Sequence, residues 1–252
     1  RGGLELVDID VVNDLAVLKS DHQLAEFLEL EQSAPANGER LFAMGNPHDL
    51  GLSIVEGTYN GLIEESLYEK IHFSGALNPG MSGGPTINRA GRVVGVNVAT
   101  GGNQLGFLVP VKHVARLLER ATGRPPLEQA SYAETVAQQL FDNQAQYMRD
   151  MIARLPTETT RMNGFSVPGQ LTPYFKCWGD TESGDKQLYT RTAVACYTDD
   201  DIYLTDDHEV GEVQYFHEYF TTRDMGSLSF AAFLEERLND PRLSIGTDED
   251  MV

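Results

Sequence analysis

Within residues 4–110, short apolar segments recur every few positions, each closed by glycine, asparagine or proline. This spacing constrains the fold more than any other feature. Leu4-Glu5-Leu6-Val7-Asp8-Ile9-Asp10 alternates apolar and polar side chains, the period of a strand with one buried face. Leu15-Ala16-Val17-Leu18 is a short apolar run suited to a buried strand. Further strands are predicted at 41–45, 51–63, 70–73, 86–87, 93–98 and 106–109. Turn residues separate them at Asn37-Gly38, Asn46-Pro47 and Thr100-Gly101-Gly102-Asn103. Many short strands with such punctuation predict an antiparallel barrel or sandwich.

The period then changes. Val111, Val114, Leu117, Leu118 and Ala121 recur at helical spacing, and Gly123 with Pro125-Pro126 stops the helix. A second helix is predicted over 131–155, with Val136, Leu140, Phe141, Tyr147, Met148, Met151 and Ile152 as its apolar stripe. From about Gly164 strands return at 171–178, 187–197, 202–204 and 210–222, and a last helix fits 228–238. The predicted organisation is therefore a barrel remnant over 1–35, a second barrel over 36–110, a helical connector over 111–157, and a small α+β domain of unassigned role over 158–252. The aromatics between Tyr189 and Phe230 suffice for a core in that last domain.

The 252-residue chain carries a net charge of −19. Nucleic-acid binding needs a basic face that displaces counterions, so DNA and RNA are excluded as expected partners. An anionic membrane surface would repel the chain, and no stretch approaches the ~18 apolar residues of a span. The two cysteines, Cys177 and Cys196, lie on segments that read as neighbouring strands. A disulfide and a pair of buried thiols are both open. Asp199, Asp200 and Asp201, with Asp206, Asp207, His208 and Glu209, do not have the spacing of an EF-hand loop and read as a solvated turn; no metal site is expected.

One loop carries chemistry. Attack on an amide by serine needs an exposed, activated hydroxyl and backbone N–H groups aimed at the developing oxyanion. Gly80-Met81-Ser82-Gly83-Gly84-Pro85 has that composition, since its glycines permit unusual dihedrals and close approach of a substrate backbone. The N–H groups of Gly80 and Ser82 would form the oxyanion hole.

The chain resembles the HtrA/Deg group of trypsin-like serine peptidases. The matching runs are Asn13-Asp14-Leu15-Ala16-Val17-Leu18-Lys19, Met44-Gly45-Asn46-Pro47, Asn78-Pro79-Gly80-Met81-Ser82-Gly83-Gly84-Pro85, Gly91-Arg92-Val93-Val94-Gly95-Val96-Asn97 and Leu105-Gly106-Phe107-Leu108-Val109-Pro110, in the family's order. The resemblance covers residues 4 to about 118. It implies a mainly β, chymotrypsin-like double barrel, its first barrel truncated here, followed by helices and the α+β domain. It implies Ser82 as nucleophile and Asp14 as the carboxylate that orients a histidine. Asp8 and Asp10 read as solvated strand or turn carboxylates.

The resemblance also places Ala76 and Leu77 at the base and wall of the pocket for the residue before the scissile bond, with Leu108 facing them. Plain barrel core is the other reading of Leu77 and Leu108. None is charged, so small or medium apolar side chains are expected there, with discrimination of only ~1–3 kcal/mol. The segment 96–100, including Val98, would pair with substrate backbone as an added strand. Val98 also falls where the family often has a hydroxyl that supports the aspartate.

The expected base is absent. His22, His48, His72, His113, His208 and His217 all follow Asp14, none in the family's context. Two readings are open: a C-terminal fragment whose histidine lies on an N-terminal piece, or a pseudoprotease acting as a binding or scaffold protein. The strand-like start of the chain favours the first. Either way this chain alone is expected to be nearly inactive. The truncated barrel would expose a strand edge inviting a partner. The expected partners are polypeptide substrates, the histidine-bearing fragment and a homo-oligomeric copy. No cofactor is required, and the resemblance implies the bacterial periplasm or secretion.

Overall fold

The computed structural model describes residues 3–22, 26–100, 104–154, 159–183, 187–198, 202–205, 208–222 and 225–239. They form two compact units. The first comprises 1–155 with 172–175 and 198–212; the second comprises 156–171, 176–197 and 213–252.

In the first unit, β1 (Leu4–Asp10) and β2 (Leu15–Ser20) form an antiparallel ribbon with a bulge between Leu6 and Asp8. A closed barrel follows, built from β3 (Arg40–Gly45), β4 (Ser53–Leu62), β5 (Ile71–Phe73), β6 (Pro85–Ile87), β7 (Val93–Thr100) and β8 (Gly106–Pro110). Its order is β3-β4-β5-β8-β7-β6, and pairing of Phe42 with Ile87 closes the ring. The fold is chymotrypsin-like and mostly β, with one complete six-stranded barrel; the β1–β2 ribbon lies outside it. Inward positions supply the core: Leu41, Ala43, Tyr59, Ile71, Phe73, Val94 and Leu108, with Leu77 and Met81 from the loops.

Helix α1 (Val111–Ala121) buries His113, Leu117 and Ala121. Arg120 near its end donates from Nε to Asp8 Oδ2 at 2.6 Å, and Arg124 also reaches that carboxylate. Asp8 is thus not the solvated carboxylate expected: it is 4% exposed. The bulge explains the difference, because it places Val7 and Asp8 on the buried side in succession. Asp10 does behave as a turn carboxylate, accepting from the backbone N–H and side-chain Nδ2 of Asn13.

Helix α2 (Tyr132–Ala153) buries Tyr147 and Met151 but leaves Phe141 and Ile152 of the expected stripe exposed. The edge of β1, expected to be open, is covered by the chain itself. Gln139 accepts from Val11 N–H and donates to the Ile9 carbonyl, and Leu127 N–H donates to the Leu6 carbonyl. A side-chain amide here supplies the donor and acceptor that a neighbouring strand would otherwise provide. The hairpin of β13 (Ile202–Thr205) and β14 (His208–Val210) also belongs to this unit.

The second unit contains the hairpin of β9 (Thr159–Met162) with β10 (Phe165–Pro168) and a sheet ordered β11-β12-β15, from β11 (Phe175–Glu182), β12 (Tyr189–Thr198) and β15 (Gln214–Thr222). Helix α3 (Ser227–Leu238) brings Phe233 against Tyr189 and Phe220. Cys177 and Cys196 form a disulfide, which decides between the two sequence readings. Asp199, Asp200, Asp201, Asp206 and Asp207 lie outside the described residues, and no metal-binding cluster occurs among the described ones.

Candidate active site

The loop between β5 and β6 wraps the end of β3, and close packing dictates its sequence. A Cβ on Gly84 would lie 2.1 Å from the Met44 carbonyl oxygen. Gly80 has φ of +94°, and a Cβ there would meet the Asn46 carbonyl at 2.4 Å. Met81 between them points into the barrel core, 1% exposed. With Met81 as the anchor, the neighbouring Ser82 is left at the surface. Its hydroxyl donates to the Val98 carbonyl at 3.3 Å.

The amides of the loop divide into two sets. Met81 N–H donates to Asn78 O (3.0 Å), Gly83 N–H to Asn97 O (2.8 Å) and Gly84 N–H to Met81 O (3.1 Å). The N–H groups of Gly80 and Ser82 have no acceptor among the described residues. Two unengaged donors therefore flank a tight bend on which an exposed hydroxyl sits.

Asn97 holds this arrangement, a role sequence reasoning missed. Its side chain, 1% exposed, donates to Met44 O and to Met81 O, both at 3.0 Å, and accepts from Thr86 Oγ1 at 2.6 Å. Its backbone N–H donates to Gly84 O. The available signal was an amide at a buried-phase position of an otherwise apolar strand.

Asp14 ends the turn between β1 and β2 in a left-handed conformation, φ +51°, with an exposed side chain. It lines a cleft of about 250 Å³ together with Val98, Val109, Glu69 and Ile202. Val98 lines the same cleft as Asp14, and its carbonyl accepts from the Ser82 hydroxyl. No hydrogen bond joins Asp14 to Ser82 among the described residues. Ala76 is exposed, whereas Leu77 and Leu108 lie within the barrel core.

None of His22, His48, His72, His113 or His217 bonds to Ser82 or Asp14; the side chain of His208 lies outside the described residues. His48 is exposed, and its backbone N–H donates to Pro79 O at 3.3 Å. His113 is buried on α1 and meets Glu69 Oε2 at 2.9 Å. Burial pushes the His113 imidazole down, against an upward pull from Glu69. The Lys112 hydrogen bond holds the Glu69 carboxyl below its usual range, against an upward push from burial.

Residues 3–96 match the trypsin-like peptidase domain. A putative serine protease, HhoB, of Synechocystis is 30% identical over 135 residues, 49% of this chain and 32% of that protein. A probable periplasmic serine endoprotease, DegP-like, of Chlamydia trachomatis is 32% identical over 127 residues, covering 46% of this chain and 26% of its own length. The Rv3671c protease of M. tuberculosis in its active form superposes with a TM-score of 0.47 at 20% identity, over 50% of this chain and 62% of that one. The chain spans about a third of the length of the curated relatives it matches. Its N-terminal part is similar to the trypsin-like peptidase domain, and its relatives include proteases of HtrA/Deg type.

Proposed function

We propose that this chain is the nucleophile-bearing part of a serine endopeptidase that cleaves unfolded or misfolded polypeptides. The observation that carries this reading is the pair of unengaged amides, Gly80 and Ser82, beside an exposed serine hydroxyl. In the reaction the Ser82 oxygen bonds to the scissile carbonyl carbon while its proton passes to an imidazole. The oxyanion is held by the two amides, and the imidazolium returns the proton to the departing amine. Asp14, across the Val98 cleft, orients that imidazole and stabilises its charge. The imidazole comes from a histidine outside this sequence, since none of the five described histidines bonds to either residue.

Substrate binds as an added strand. Past Val96, β7 pairs with β8 but no longer with β6, and the Val98 carbonyl accepts from the Ser82 hydroxyl, a contact that an incoming strand would displace. Ala76 forms the accessible part of the side-chain pocket; Leu77 and Leu108 shape it from beneath. Small and medium apolar side chains fit such a pocket. The disulfide fits an oxidising compartment, and a periplasmic or secreted setting agrees with the DegP-like relatives. A homo-oligomer is the expected assembly.

The second reading, a scaffold on a protease fold that has lost its base, is favoured by the absence, among the described residues, of a histidine bonded to Ser82. A fluorophosphonate probe separates the two. The protein supplied with its histidine-bearing segment is expected to label at Ser82, and Ser82→Ala to abolish labelling. A folded complex that stays unlabelled selects the scaffold.

A further inference from the structure

Strand β7 carries Val98 towards Ser82 at one end and Val94 into a second cavity near the other. This cavity, about 560 Å³, lies under the connecting segment 30–35 and the first turns of α1. That volume suits a drug-sized molecule. Its walls are mostly apolar, formed by Leu62, Ile71, Val94 and Pro110.

The charged groups on its lining are already committed. Glu31 accepts from Asn88 Nδ2 and from the backbone N–H of Gln32, each at 2.8 Å. Lys112 donates to Glu69 Oε1 at 2.6 Å. A charged guest would find no free counter-charge there. Tyr59 differs. It lines the cavity and is 5% exposed, yet its hydroxyl has no partner among the described residues. Its oxygen is not fully sealed from solvent, so the donor stays open to a guest in the cavity. Burial also pushes the Tyr59 phenol up, so it stays protonated and donates.

We infer that this barrel-end cavity binds a small uncharged molecule with an apolar body and one oxygen acceptor, which takes the Tyr59 hydroxyl as its donor. Nothing in this site involves Ser82 or Asp14, so it stands whether or not the peptidase reading holds.

The test uses 6-propionyl-2-(dimethylamino)naphthalene, an uncharged aryl ketone whose emission moves to the blue in apolar surroundings. The full chain is expected to bind it saturably in the micromolar range, and Ser82→Ala to bind it equally. Tyr59→Phe keeps the ring and removes the donor, so binding should weaken about fivefold. Ala115→Trp, at an exposed position of α1 that lines the cavity, should fill the space and weaken binding at least tenfold, with unchanged circular dichroism. No saturable binding, or equal binding by both variants and the parent, overturns the inference. Dye lost as light scattering reports dimer formation would also overturn it, making the cavity a self-association surface.

Discussion

Asn97 decides how firmly the Ser82 loop is held. Its amide nitrogen serves two carbonyls and its oxygen takes the Thr86 hydroxyl. Asn97→Ala strands all three, and each buried unpaired group costs about 1–3 kcal/mol. Urea unfolding of the variant should show a loss of roughly 3 kcal/mol, from partial relaxation. Asn97→Asp retains the acceptor but puts a carboxylate oxygen where the donor stood, facing two carbonyls, so it should be at least as damaging as alanine. Equal stability of parent and aspartate variant would remove Asn97 from its positioning role. Asp14 acts differently, because it is exposed and its loss leaves nothing buried. Asp14→Asn should leave stability unchanged yet slow acylation of the histidine-supplemented protein about 10⁴-fold. His113 sets a pH dependence. Burial depresses its folded-state value below the ordinary 6.5, so the native state binds fewer protons than the unfolded chain. The stability this contributes is full above 6.5 and falls as pH drops through that value. Glu69, depressed from 4.5, adds a further loss at more acid pH. Urea midpoints should decline from pH 7 to pH 5, and His113→Gln should flatten that decline.

The strands and helices were legible because their periods are local. Residues 93–98 and 106–109 read as strands and are strands, and α1 lies at 111–121 as its spacing predicts. What was not legible depends on non-local geometry. A bulge in β1 turned Asp8 inward, and no local pattern announces which residue a bulge will bury. The apolar stripe of α2 overstated burial, since Phe141 and Ile152 are left exposed while Tyr147 and Met151 are buried. Gln139 covering the edge of β1 could not be read from a glutamine on a helix 128 residues away from Val11. The Ser82 loop was legible because Gly80 and Gly84 are demanded by close approach, but its buried support at Asn97 was hidden within a strand. The junction of α1 with β1 offers a test at this scale. Arg120→Met removes the nearer of two cations from a buried carboxylate, leaving Arg124 at 3.4 Å. Breaking a buried pair costs about 3–5 kcal/mol, and Arg124 should hold the loss near the lower value. Urea unfolding measures it, and an unchanged midpoint would mean that Arg124 alone satisfies Asp8.

The molecule as a whole combines two compact units with an acidic surface and a single covalent link inside the second unit. The chain belongs to the first unit, leaves it, and rejoins it at 172–175 and 198–212. Their cores differ in kind. The first is a closed barrel of aliphatic and aromatic side chains, complete without any cross-link. The second has a three-stranded sheet, one helix and a small aromatic cluster, a size at which a disulfide commonly supplies what the core lacks. A link between residues 19 apart removes roughly 3 kcal/mol of loop entropy from the unfolded chain on the chain-entropy account. Reduction should therefore lower the stability of the second unit by about that amount. The barrel, with its core independent of the sulfurs, should keep its own. Calorimetry before and after treatment with a reductant should show two transitions, one of which moves down while the other stays. Replacing both cysteines by serine should reproduce the shift. One transition moving as a whole would mean that the two units unfold as a single cooperative body, and that the crossings at 172–175 and 198–212 transmit the loss to the loop that carries Ser82.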